Sequence, residues 1–149
     1  MVLRCLVLLC ACARHASATT VVCSDPTDCT ADVQKALDDD ATAAVTIPAT
    51  GEPWQVTPLY IRRSNLLVTL EKGAVLEAKA GSFVGTNDCL LTVVGGTNVT
   101  IRAAGAALRM RRPYLPPAYQ KAEWRHVLSI RSATDVTVEG GTLSDAGGD

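Results

Sequence analysis

The sequence predicts an all-β fold, a parallel β-solenoid with a short N-terminal capping helix, and three observations carry that expectation. The first is composition. The 149 residues include 21 Ala, 16 Val, 16 Leu and 16 Thr but only six aromatic side chains. Thin strands of small and β-branched residues suit this mixture better than helices around an aromatic core. The second is a change of period: from Val45 onward apolar and polar residues alternate, and no later window reads as a helix. The third is an internal repeat. Leu59, Ile61, Val68, Leu70 and Leu76 recur as Leu91, Val93, Val99, Ile101 and Leu108, and again as Leu128, Ile130, Val136, Val138 and Leu143. The first step is 32, 32, 31, 31 and 32 residues, and the second is 37, 37, 37, 37 and 35.

Each unit reads apolar-x-apolar, a small polar turn, apolar-Thr-apolar, a Gly-containing turn and a closing Leu. Three short strands cannot bury an apolar face alone, whereas stacked units share a continuous core. The residues that vary leave as connections, 77–90 and the longer 109–127. An antiparallel sandwich or barrel is the other architecture such strands allow, but it needs no repeat in register.

Taken in order, Met1 to Ala18 has the pattern of a secretory signal. Arg4 precedes an apolar run from Cys5 to Ala13, and Ala16-Ser17-Ala18 offers small residues for cleavage after Ala18. That run is well short of the roughly 20 residues a membrane-spanning helix needs, so no stable membrane anchor is expected. Removal leaves residues 19–149, with a formal charge of −3 and three cysteines, Cys23, Cys29 and Cys89. In an oxidising compartment Cys23 and Cys29 are expected to pair across their short spacer. Cys89 is left as a buried thiol or as half of a bridge to a cysteine outside these residues. Charged residues make up 19% of the chain with a formal balance of −1, which argues against a disordered tail or a globally basic nucleic-acid binder.

Thr30 to Leu37 reads as the capping helix, with Thr30 as N-cap, Asp32 in the first turn and Val33, Ala36 and Leu37 on one face. Asp38, Asp39 and Asp40 stand at the negative end of its dipole and should stop it. The cap is therefore assigned to 19–44 and the stacked units to 45–149, opening with a strand from Val45 that ends at Pro48.

These residues also support a family resemblance. Val45-Thr-Ile-Pro-Ala-Thr-Gly51, Pro58-Leu-Tyr-Ile-Arg-Arg-Ser-Asn65 and Val68-Thr-Leu-Glu-Lys-Gly-Ala-Val-Leu76 resemble the opening coils of pectin lyase-like proteins, polygalacturonase-type hydrolases among them. Glu123-Trp-Arg-His-Val-Leu128 and Ser144-Asp-Ala-Gly-Gly-Asp149 are similar to segments of secreted β-helix repeat proteins. The resemblance spans about residues 28–149. It implies a right-handed parallel β-helix, a secreted monomer, and a glycosidase or lyase acting on an acidic polysaccharide. The polygalacturonase set of Asn-Thr-Asp, an Asp pair, Gly-His-Gly and Arg-Ile-Lys does not occur here, nor does a pectate-lyase pattern. Family members carry more coils, so the sequence reads as an N-terminal portion or an inactive fragment. A non-catalytic glycan-binding or adhesion module is the competing expectation.

Chemistry is expected in two places. Connection 109–127 carries Arg109, Arg111, Arg112, Lys121 and Arg125 against Glu123, with Tyr114, Tyr119 and Trp124 interleaved. Arginine forks match carboxylates bidentately and flat rings cover sugar faces, so Arg109, Arg111, Arg112, Tyr114, Trp124 and Arg125 are the candidate substrate-binding residues. The alternative is a solvated, proline-stiffened loop. Asp145 and Asp149 are the candidate catalytic pair, since glycosidic hydrolysis needs two carboxylates roughly 5–5.5 or 6.5–9.5 Å apart. Turn formation is their other role.

His126 is the one histidine after the signal and reads as structural rather than catalytic. Asn98-Val-Thr100 is a glycosylation sequon, but Asn65, Asn98 and Asp135 share one place in the units, where a stacked turn ladder also accounts for them. No metal-ligand cluster and no cofactor motif is identifiable, and Ca²⁺ enters only if the reaction is a lyase's. The expected partner is an acidic polysaccharide. Nucleic acid would also suit the basic-aromatic loop, but export argues against it.

Overall fold

A computed structural model describes residues 17–111 and 124–146. The expected signal lies outside these residues up to His15 and Ala16, whereas Ser17 and Ala18 already belong to a strand. The N-terminal part comprises β1 (Ser17–Thr20), α1 (Thr30–Asp38), β2 (Thr42–Ile47) and β3 (Trp54–Val56). Three units of three strands follow. They are β4 (Leu59–Ile61), β5 (Leu66–Leu70) and β6 (Val75–Ala78); β7 (Leu91–Val94), β8 (Thr97–Arg102) and β9 (Ala107–Arg109); and β10 (Leu128–Arg131), β11 (Thr134–Glu139) and β12 (Thr142–Ser144).

Every strand pairing is parallel. The first strands of the units form one sheet, β10-β7-β4; the second strands join β1-β2-β5-β8-β11; the third join β12-β9-β6-β3. Among the described residues the antiparallel alternative is thereby excluded, and they form an all-β fold with one helix. Side chains alternate, and the inward rows stack by type. Trp54, Leu76, Leu108 and Leu143 form one row, and Ile61, Val93 and Ile130 another. Within the first two units these residues are almost wholly buried, each such side chain contributing about 1.5–3 kcal/mol. The last unit is open: Ile130, Val138 and Leu143 are 47%, 39% and 50% exposed.

One register differs from the sequence expectation. The alignment of apolar residues placed Val68 on Val99 and Leu70 on Ile101, but β5 pairs with β8 as Leu66 on Val99 and Val68 on Ile101. The step there is two residues longer, which leaves the same side chains inward because strand periodicity is two. The turn decides between the two registers. Asn65, Asn98 and Asp135 all adopt left-handed backbone, φ 57°, 57° and 52°, and the Asn98 amide donates to Oδ1 of Asn65 at 2.9 Å. This is the expected turn ladder, at the position of the sequon.

The helix closes one end. Val33, Ala36 and Leu37 are buried beneath it. Gln34 substitutes for a neighbouring strand on the free edge of β4: its Oε1 accepts from Tyr60 N at 2.9 Å and its Nε2 donates to Tyr60 O at 2.8 Å. On the edge of β3, Cys29 N donates to Gln55 O and Thr57 N donates to the Thr30 hydroxyl, both at 2.8 Å. The expected N-cap role of Thr30 is corrected. Cys29 occupies the cap position without a side-chain bond, and Thr30 is the first helical residue, its hydroxyl donating to Asp28 Oδ1 at 2.5 Å. That hydroxyl is committed to joining helix and sheet. The Cys23–Cys29 disulfide is formed, as the spacing suggested, and Cys89 is a buried thiol.

Candidate functional site

The third strands place a polar row on the outer face of their sheet, Gln55, Glu77, Arg109 and Ser144, each directly beside the next. Glu77 is the focus of this row. Although it faces outward from β6, it is only 3% exposed. Its carboxylate accepts three bonds: from Gln55 Nε2 at 2.5 Å, Arg109 Nε at 2.6 Å and Arg111 Nη2 at 2.7 Å. Burial alone would raise its pKa. The hydrogen bonds from Arg111 and Gln55 and the charges of Arg109 and Arg111 outweigh burial and hold the carboxyl below its ordinary value.

The two arginine side chains remain 42% and 49% exposed. Each guanidinium has five N–H groups, so the cluster keeps outward donors after satisfying Glu77, and its formal charge is +1. Lys79, just past the end of β6, is tied instead to Asp28 at 2.7 Å. With the Thr30 hydroxyl, Lys79 holds the Asp28 carboxyl down at about 2.

The remaining candidates of the 109–127 connection are dispersed. Arg112 and Tyr114 lie outside the described residues. Trp124 is 59% exposed, with its ring edge-on to His126 at 6.3 Å, and His126 makes a structural bond, its carbonyl accepting from Leu90 N at 3.1 Å. Arg125 is 1% exposed, and its guanidinium donates to Gly85 O at 3.0 Å and Val84 O at 3.3 Å. It fastens the 79–90 connection from within and presents no surface to a ligand. Asp145 is exposed, has φ 58° and accepts from the Ser144 hydroxyl at 3.1 Å, the geometry of a turn former. Asp149 lies outside the described residues, so the separation of the two is not defined.

Sequence reasoning missed Glu77 and Gln55. The sequence places Glu77 in the 77–90 connection, but β6 extends through Ala78 and carries it on the strand. An acid in the outward position beside Arg109, with Gln55 on its other side, was the available signal. Among the described residues, no group of three or more His, Cys, Asp or Glu side chains could hold a metal ion. No described helix is long and apolar enough to cross a membrane. Comparison with protein-family models, curated proteins and solved structures finds no match to this chain.

Proposed function

We propose that the chain forms the coils of a secreted right-handed parallel β-helix and binds an acidic polysaccharide on the Gln55–Glu77–Arg109 face. The observation that carries this reading is the grip on Glu77. Arg109 and Arg111 already bond a carboxylate with charge-assisted geometry while half of each side chain remains in solvent. A uronate carboxylate would meet the outward N–H groups of the same pair. Three stacked units in parallel register support the β-helix, and a formed disulfide is compatible with an oxidising compartment.

The binding reading is favoured over hydrolysis or elimination. Glu77 is the only carboxylate on the four strands β3, β6, β9 and β12, and it is held ionised by its arginines, which unsuits it as a general acid. A Ca²⁺-assisted lyase would need carboxylate ligands beyond Glu77 on this face.

The test is retention on immobilised polygalacturonate or alginate. Arg111→Ala should lose retention at low salt by about 3–10-fold, and moderate salt should weaken the unaltered protein in the same direction. Unchanged retention of a folded Arg111→Ala variant removes this face from the function.

A further inference from the structure

We propose that the cavity between the Cys23–Cys29 disulfide and the turn at 48–54 is a binding site for a small hydrophobic ammonium compound. It is separate from the Glu77 face and shares no lining residue with it. The cavity is about 410 Å³, within the range of small-ligand pockets. Its walls are apolar: Val21 and Val22, the prolines at 26, 48 and 53, and Trp54, together with the disulfide. Thr50 and Glu52 supply the polar part of the lining.

The walls are fixed before any ligand arrives. The disulfide ties one side, and Val21 N donates to Thr46 O at 2.8 Å. On the other side Trp54 Nε1 donates to Pro48 O at 2.9 Å and the Thr50 hydroxyl to Glu52 O at 2.8 Å, across Gly51 at φ 85°. A preformed site spares the ligand the cost of ordering its walls.

Charge selects the ligand class. Glu52 is the one charged lining residue, it is exposed, and its carboxylate takes no hydrogen bond from any described residue. The adjoining segment 22–32 adds Asp25, Asp28 and Asp32 and contains no Lys or Arg. Asp25 and Asp32 are bonded to Thr27 and Ser24, and Asp28 is paired with Lys79, so Glu52 is the carboxylate left to meet a cation. An apolar body fills the cavity while an ammonium group reaches Glu52 at its rim.

The probes are phenethylamine, phenethyl alcohol and phenylpropionate, titrated into the full chain while amide and indole N–H shifts are followed by NMR. Phenethylamine should bind with a dissociation constant on the order of 1 mM, shifting residues 21–29 and 48–54, and phenylpropionate should bind at least about tenfold more weakly. Glu52→Gln should weaken phenethylamine about threefold and leave the alcohol unchanged. Val22→Ser, on a side chain 78% exposed, should weaken all three probes without altering the fold. Absence of saturable shifts in these two segments overturns the proposal. So does equal binding of amine and carboxylate, or phenethylamine binding that Glu52→Gln leaves unchanged.

Discussion

Glu77 is an ionised carboxylate with almost no contact with water, and its three donors are what make that tolerable. Removing one leaves part of its desolvation uncompensated: Arg109→Ala is expected to cost about 1–3 kcal/mol in chemical denaturation, with Glu77→Gln milder because a neutral amide needs no counter-charge. The same logic fixes the response to acid. Asp28 and Glu77 have folded-state pKa values below their ordinary 3.8 and 4.5, so each contributes stability above its ordinary value and loses it as pH falls through the folded one. For Asp28 that window runs from about 3.8 down to about 2. Melting temperature should therefore hold roughly constant from pH 7 to 5 and fall below about pH 4.5, and Asp28→Asn should flatten the lowest part of the decline. None of this residue-level detail was legible from the loop's composition. Counting the charges of 109–127 found the arginines but not their partner on a neighbouring strand, and Arg125 looked like its neighbours until its burial separated it.

At the level of elements, α1 shows how a sheet edge is closed by one side chain. Gln34 supplies both a donor and an acceptor to Tyr60, as a paired strand would. Gln34→Leu should preserve the helix yet leave Tyr60 N and O unpaired, lowering stability by about 1–3 kcal/mol, whereas substitution of the exposed Lys35 should be near neutral. The helix itself was legible because three apolar residues share a face just before a run of acids. The strand units were legible because their period repeats. The β5–β8 register was not, since Leu66, Val68 and Leu70 offer three inward positions to a partner that fills two, and a slip of two residues keeps every side chain on its face. The asparagine turn, noted in the sequence but not used to set the register, resolves it.

Across the whole molecule, the inward leucine row reports how burial changes along the stack. Leu76, Leu108 and Leu143 are chemically identical positions at 1%, 2% and 50% exposure. Leu108→Ala should cost about 2–5 kcal/mol, and Leu143→Ala less than about 1 kcal/mol, both read from denaturant midpoints. Equal costs would mean that the last unit is covered in solution. The parallel units also put residues from distant parts of the chain onto one face: Gln55, Glu77 and Arg109 are 22 and 32 residues apart in sequence, yet directly adjacent. The proposed polysaccharide site depends on that adjacency and on the outward half of the arginine pair.

Calorimetric titration of a galacturonate oligomer and its carboxyl-reduced, neutral counterpart, on the unaltered protein and on Glu77→Gln, tests this most directly. The acidic oligomer should bind and the neutral one should not, and Glu77→Gln should tighten the acidic oligomer by freeing the guanidinium groups. Equal binding of the two oligomers, or weaker binding of the acidic oligomer by a folded Glu77→Gln protein, overturns the proposed site.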